Sequence, residues 1–233
     1  MKFYRINDIE KVINANKLLV PLDILLVGAT GTGKSSTLNA IFGANVAKVG
    51  EGVDPETQNI SSHKLHNYLR IHDSAGLGDG KIADTEHSKK ITSILLHKCN
   101  VDNHEYGYID LVIVLIDGGS RDLGTAFKLL ETVILKSIDR KRVIVAINQA
   151  DMAMKGNYWN HESNQPEAPL YEFLEEKAIS IQKRIKDSTG LKIMKPIFYS
   201  AKLSYNIDSL IDHIISNIPK KRRKLHKKIV ELL

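Results

Sequence analysis

The sequence predicts an α/β fold: about six strands in a mostly parallel sheet with one antiparallel edge strand, and helices on both faces. Three observations predict it. Gly28-Ala29-Thr30-Gly31-Thr32-Gly33-Lys34-Ser35 lies between the apolar run Leu22–Val27 and the helix-like stretch Ser36–Phe42. Strand, Gly-rich turn and helix is the context a phosphate-binding P-loop needs. Two further runs, Leu111–Ile116 and Arg142–Ile147, are almost continuously apolar, as strands buried on both faces are. Strands alternate with helix-length amphipathic segments, the pattern of a parallel sheet wrapped by helices.

A chain of 233 residues with 42% hydrophobic and 26% charged residues suits one globular domain with appendages. The single cysteine, Cys99, excludes an internal disulfide and fits a reducing compartment. No run reaches the roughly 18 apolar residues of a membrane span, and the first residues carry no long apolar segment of a secretory signal. The net charge of +6 is local. Seven basic residues and one acid lie between Pro219 and Leu233, so the rest of the chain is balanced. Only this tail can carry nucleic-acid or anionic-surface binding. The expected organisation is a leading helix over residues 1–20, a nucleotide-binding domain over 21–218, and a basic tail over 219–233. That tail is a phosphate-binding segment, a solvated continuation of the last helix, or the start of a further region. The expected location is cytoplasmic, or peripheral at a membrane through the tail.

In chain order, Ile6, Ile9, Val12, Ile13 and Leu18 have helical spacing, with Pro21 expected to end that helix. After the first strand and helix, Gly43–Ile60 reads as a long loop. Ser61–Asn67 and Tyr68–His72 read as a hairpin, Ile82–His97 as a helix, and Asn100–Tyr108 as a polar loop. Leu123–Ser137 is amphipathic, Asn157–Pro169 a polar insertion, Leu170–Lys186 a helix and Met194–Tyr199 a strand. Ile207–Ile218 is the last helix, expected to run into the basic tail.

The chemistry follows from where polar residues meet strand ends. In the P-loop, successive N–H groups from Gly28, Ala29, Thr30, Gly31, Thr32 and Gly33 to Ser36 face a polyphosphate at a helix N-terminus. Lys34 can reach the β/γ-phosphates, and the Ser35 hydroxyl can ligate Mg²⁺. In open α/β sheets ligands sit beyond the carboxyl ends of strands, so the later loops are read for partners. Asp73-Ser74-Ala75-Gly76 offers a carboxylate to the Mg²⁺ shell and a Gly76 N–H to a γ-phosphate. Asn148-Gln149-Ala150-Asp151 offers a carboxylate that can accept from guanine N1–H and N2–H₂, a donor pair adenine lacks; an unpaired buried carboxylate rejects the wrong base. Ser200-Ala201-Lys202 offers the Ala201 N–H to guanine O6. The histidines His63, His66 and His72 lack the cysteine or acid partners of a zinc site, and Trp159 reads as a partner contact or a cap on the sheet.

The ordered set GATGTGKS, DSAG, NQAD and SAK resembles the translation-factor-type GTPase superfamily. Three stretches resemble the Era-like predicted GTPases often encoded in bacterial prophages: Gly31-x-Gly33-Lys34-Ser35-Ser36-x-x-Asn39-Ala40, Ser120-Arg121-Asp122-Leu123-Gly124-Thr125, and Asn148-Gln149-Ala150-Asp151 followed by Trp159. The resemblance covers residues 20–218. It implies a P-loop G domain that binds GTP or GDP with Mg²⁺, and a switch threonine ligating that Mg²⁺, for which Thr57 is the match. It implies catalysis by Lys34, Thr57 and Gly76, and a metal held by Ser35, Thr57 and Asp73.

Three residues depart from the pattern. Leu77 follows Asp-x-x-Gly where a water-orienting glutamine stands in Ras-like enzymes. Gly31 stands where potassium-activated relatives carry asparagine. Gln149 replaces a lysine whose stem packs on the base, so guanine affinity is expected to be reduced. Arg121 and His87 are candidates for the missing catalytic charge. Two functions remain open: slow GTP hydrolysis, stimulated by a partner or by dimerisation across the nucleotide site, and a nucleotide-gated module that recruits a protein partner with negligible turnover. An ATP-using P-loop protein is the third reading, which Asp151 opposes.

Overall fold

The first strand, β1 (Leu22–Gly28), is buried along its whole length and stands inside a six-stranded sheet. The structure, a computed structural model, describes residues 4–43, 61–74, 81–120 and 123–223. Helix α1 (Tyr4–Ala15) precedes β1. Then come α2 (Lys34–Phe42), β2 (Ser61–His66), β3 (Leu69–Asp73), α3 (Lys81–Leu96), β4 (Lys98–Val101), β5 (His104–Gly107) and β6 (Leu111–Asp117). Helix α4 (Gly124–Leu129) passes through a π turn at Leu130–Ile134 into α5 (Leu135–Ser137). The remaining elements are β7 (Val143–Asn148), β8 (Trp159–Asn160), β9 (Gln165–Pro166), α6 (Ala168–Thr189), β10 (Ile197–Phe198) and α7 (Ile207–Ser216).

The strand order is β10-β7-β6-β1-β3-β2. Within this sheet the pairings are parallel except β2 with β3, which makes β2 the antiparallel edge strand. This is the predicted architecture. Alternation along β1 divides the core. Leu25 and Val27 join Val112, Val114 and Val145 beneath Leu170, Leu174 and Ala178 of α6. Leu22, Ile24 and Leu26 join Ile113, Leu115 and Ile144 beneath Ile9 and Ile13 of α1, Leu38 of α2 and Leu210 of α7. Among the described residues no helix is long and apolar enough to cross a membrane.

Several expectations about elements are corrected. Helix α1 ends at Ala15, well before Pro21. Lys17 takes a left-handed conformation (φ 51°), the Leu18 N–H bonds the Ile13 carbonyl, and the Lys17 N–H bonds that of Asn14. That is a Schellman closure, with Leu18 and Ile13 both buried in one cluster. The segment read as a polar loop at Asn100–Tyr108 holds most of the hairpin β4–β5, which begins at Lys98. Its turn residues Asp102 and Asn103 both have positive φ (52° and 61°), the type I′ geometry that Asp and Asn tolerate. Trp159 is buried against the core, with its ring edge-on to Tyr205 at 5.1 Å.

The last helix does not run on into the basic segment. Helix α7 stops at Ser216, and residues 219–223 cross the sheet end opposite the strand termini that carry the P-loop. The Arg223 guanidinium is buried and donates to the carbonyls of Ile109 (3.3 Å) and Ser137 (2.7 Å). The Arg223 carbonyl accepts from the Gly107 N–H. Arg222 donates to the Lys17 carbonyl and lies over the Tyr106 ring. Among the described residues of the basic segment, Arg222 and Arg223 are therefore used inside the fold. The same pole holds a buried ionic chain: Arg70 and His72 bond Asp23, the Asp23 N–H bonds Asp110, and Arg142 lies 3.7 Å from Asp110. Burial pushes the Asp110 carboxyl up to about 6.

Candidate nucleotide-binding site

Parallel pairing brings the carboxyl ends of β1, β3, β6, β7 and β10 to one edge of the sheet. The P-loop and the loops that begin at Asp73, Asn148 and Ser200 leave from that edge. Gly28 ends β1, Asp73 ends β3, Asp117 ends β6, Asn148 ends β7, and Ser200-Ala201-Lys202 follows β10.

The Gly-rich turn is shaped by two left-handed residues, Gly31 (φ 81°) and Gly33 (φ 79°). Gly33 directly precedes α2, which starts at Lys34 with no side-chain cap. The first-turn N–H groups of such a helix are directed out of its end, where an anion can accept from them. A Cβ on Gly28 would stand 2.8 Å from the Leu115 carbonyl oxygen, and one on Gly33 would stand 2.3 Å from Asn148 Nδ2. Both glycines are required by close approach. The Lys34 side chain is buried, with Nζ 3.1 Å from the Ala29 carbonyl and 3.3 Å from that of Gly28. The ammonium thus lies inside the loop's own curve, where a phosphate oxygen would meet it.

Beside the loop, Ser35 Oγ donates to Asp73 Oδ2 at 2.9 Å. Asp73 Oδ1 is buried without a hydrogen-bond partner among the described residues. Burial raises the Asp73 carboxyl above its ordinary value, opposed by the Ser35 hydrogen bond and by the charges of Lys34 and His63. A hydroxyl and a carboxylate with an open oxygen, next to a phosphate cradle, form the hard-oxygen donor set that suits Mg²⁺. Thr57, Gly76, Leu77 and Arg121 lie outside the described residues. His87 is on α3. His72 is committed to Asp23 and Ser62, and His66 stacks on Tyr68.

On the other side of the loop, Asn148 is buried and used at both ends of its amide. Nδ2 donates to the Thr32 carbonyl at 2.9 Å, and Oδ1 accepts from the Ala201 N–H at 3.0 Å. The N–H assigned above to guanine O6 is therefore engaged by Asn148 in this arrangement. Gln149 is left-handed (φ 60°), and its Nε2 donates to the Gly31 carbonyl at 2.6 Å. Its amide thus ties the turn after β7 to the Gly-rich loop without a charge. Asp151 is buried, and its Oδ1 has no partner among the described residues. Ser200 is buried and its hydroxyl accepts from the Leu203 N–H, while Lys202 is exposed.

Two contributors were not visible in the sequence. Tyr199 is fully buried next to Ser200, and its hydroxyl lies 2.7 Å from that of Thr37 on α2. Lys177 on α6 donates to the carbonyls of Asp117, Gly118 and Ser120 in the loop after β6. Neither belongs to a local motif. Each acts across 57 or more residues of chain, and only an apolar strand end and an amphipathic helix marked their segments.

A mostly parallel sheet with a P-loop at one strand end, a Ser–Asp pair beside it and an Asn-x-x-Asp turn opposite defines a P-loop nucleotide-binding domain. Residues 23–149 match the model of a family described as 50S ribosome-binding GTPase, and the chain belongs to that GTPase family. Among solved structures, Toc33 from Arabidopsis thaliana in complex with GDP and Mg²⁺ is similar with a TM-score of 0.63 and 14% identity, over 95% of this chain and 93% of that one. A structure of the chloroplast translocon components atToc33 and psToc159, in which dimerization is important for GTPase activity, gives a TM-score of 0.65 and 15% identity, over 95% of this chain and 92% of that one. Era in complex with MgGDPNP and nucleotides of 16S ribosomal RNA gives 0.53 and 16%, over 88% of this chain and 59% of that one. At these identities the likeness is one of fold.

Proposed function

We propose that this chain binds GTP with Mg²⁺ at the edge described above and hydrolyses it to GDP and phosphate, slowly when alone and faster with a second copy or another partner. One observation carries the reading. The buried carboxylate oxygens left without a partner among the described residues are Asp73 Oδ1 and Asp151 Oδ1. One lies on the cation side of the P-loop and the other on the base side. An unpaired buried carboxylate is costly, and a ligand carrying a divalent cation at one end and guanine N–H donors at the other satisfies both.

In this reading the P-loop N–H groups and Lys34 bind the β- and γ-phosphates and hold them in place as water attacks in line. Ser35 and Asp73, with Thr57, hold the Mg²⁺, which supplies charge neutralisation to the transferring phosphoryl group. The Gly76 N–H donates to a γ-phosphate oxygen. Asp151 accepts from the guanine edge, while Asn148 and Gln149 fix its loop to the phosphate loop. Gln149 lacks the ammonium of the usual lysine but keeps a donor on Gly31.

Leu77 cannot orient water, and this favours a second reading: a nucleotide-gated module with negligible turnover whose loops around the γ-phosphate select a protein partner. Toc33 is a protein whose solved structures include a dimerization-deficient mutant, and a homodimer across the nucleotide edge is the corresponding proposal here, with Arg121 as a charge supplied to the partner's site. The tail beyond Arg223 is proposed to meet RNA phosphates or an anionic membrane surface, in a protein of the cytoplasm or its membrane periphery.

The test is the nucleotide that co-purifies, followed by single-turnover hydrolysis over a range of protein concentrations. GDP or GTP in the preparation and a rate that rises with concentration support the proposal. A rate at background at every concentration leaves the gated module, and ATP displacing bound GDP at equal concentration overturns the guanine assignment.

A further inference from the structure

The loop after β6 curls its backbone around one side chain from a distant helix. Lys177 Nζ lies 3.2 Å from the Asp117 carbonyl oxygen and 2.7 Å from that of Ser120, and bonds the Gly118 carbonyl as well. All three ammonium donors are thus spent on three carbonyls within the four-residue stretch Asp117–Ser120. Asp117 Oδ1 accepts from the Gly119 N–H at 2.7 Å, so the loop is closed from inside as well.

The other side of this loop is packed on the segment that carries the base-side residues. The Gly118 N–H donates to the Asn148 carbonyl at 2.7 Å. A Cβ on Gly118 would stand 2.9 Å from the carbonyl oxygens of both Asn148 and Gln149, and one on Gly119 would stand 3.2 Å from that of Met152. The contact is backbone on backbone, with no side chain between to absorb a shift. It spans Asn148 to Met152, and Asp151 lies within that span. Movement of the loop would move the carboxylate.

We propose that Lys177 is a positioning residue for guanine recognition: it fixes the loop Asp117–Ser120 as the wall against which Asn148–Met152, and so Asp151, is set. The inference rests on the guanine-site reading above. Burial lowers the Lys177 ammonium below its ordinary value, with the Asp117 charge opposing. The geometry also selects the cation type. Three carbonyls converging on one point suit a compact ammonium with three rotatable donors, and a guanidinium can keep two of them through its planar fork.

The experiment compares wild type, Lys177→Met and Lys177→Arg by equilibrium binding of fluorescent GDP and by competition with GTP, ITP and ATP. Thermal unfolding of the nucleotide-free proteins runs in parallel. Lys177→Met is expected to bind GDP roughly tenfold more weakly and to lose part of its preference for GTP over ITP, which lacks the 2-amino donor. Lys177→Arg is expected to recover most of both. Because the effect is on base preference, it is separable from a loss of stability. Unchanged GDP affinity and base preference in Lys177→Met would overturn the proposal, whether or not its melting temperature falls. So would a uniform loss of affinity for every nucleotide with no change in preference. If wild type itself binds no guanine nucleotide, it is the functional reading that has failed.

Discussion

The hydroxyls of Thr37 and Tyr199 lie 2.7 Å apart in the core, 162 residues apart in the chain. Thr37 Oγ1 also donates to the Gly33 carbonyl at 2.8 Å. A threonine hydroxyl has one proton, so Tyr199 is the donor in this pair. Burial pushes the Tyr199 phenol well above its ordinary value, so that it keeps the proton it donates. The phosphate-side helix is thereby tied to the strand end that carries Ser200 and Ala201.

Tyr199→Phe removes that donor and leaves a buried hydroxyl oxygen short of a partner. The expected cost is about 1–2 kcal/mol of folding stability, read by chemical denaturation, together with a several-fold weaker GDP affinity. A stable Tyr199→Phe with undiminished stability would show that the pair contributes nothing net.

Gly33→Ala places a methyl 2.3 Å from Asn148 Nδ2 on a backbone with φ 79°. The strained conformation alone costs about 1 kcal/mol, and Asn148 must also give up its bond to Thr32. Loss of tight nucleotide binding is expected, with a larger stability loss than for Gly31→Ala, because the Gly31 position opens onto free space. Equal effects of the two substitutions would refute the role given to the Gly33–Asn148 contact.

Asp151→Asn exchanges an acceptor for a mixed donor and acceptor at the base edge. A shift of preference from GTP toward XTP is expected, measured by competition against bound fluorescent GDP, while Lys34→Ala should abolish tight binding of every nucleotide. An unaltered GTP over XTP preference would remove Asp151 from the site.

Asp110 titrates against the fold. Its native pKa of about 6 is raised above the unfolded value of about 3.9, chiefly by burial. Between those values the native state binds more protons than the unfolded one. The contribution to stability is therefore fully present at low pH and is lost as pH rises through about 6. Asp110→Asn cannot titrate there. The stability of wild type relative to Asp110→Asn should thus fall by up to about 3 kcal/mol from pH 4 to pH 7. Parallel curves for the two proteins would show that the carboxyl is not shifted.

Truncation separates the two parts of the basic segment. Ending the chain at Arg223 keeps the contacts to Ile109, Ser137 and Gly107 and should preserve stability and GDP affinity while weakening any RNA or liposome binding. Ending it at Ile218 should also destabilise the domain, because Arg142 and Asn16 lose the carbonyls of Lys221 and Pro219. Equal melting temperatures of the two truncations would make residues 219–223 dispensable.

The sequence by itself determined the main sheet and which loops leave the carboxyl ends of its parallel strands. Apolar runs such as Leu111–Ile116 are forced into buried parallel strands by composition, and Gly-Lys-Ser after a strand is a local pattern with a local cause. The same locality explains what was misread. The closure of α1 depended on a left-handed Lys17 rather than on Pro21, and the β4–β5 hairpin on Asp102-Asn103 in a stretch with no apolar alternation. Tertiary structure alone decided the rest: that Tyr199 meets Thr37, that Asn148 takes the Ala201 N–H, that Lys177 gathers three carbonyls, and that Arg222 and Arg223 are folded in. Those contacts join residues tens to hundreds of positions apart. Hydrogen bonds of that kind are set by which strand ends and helices the packed sheet brings together, and no local residue pattern encodes them.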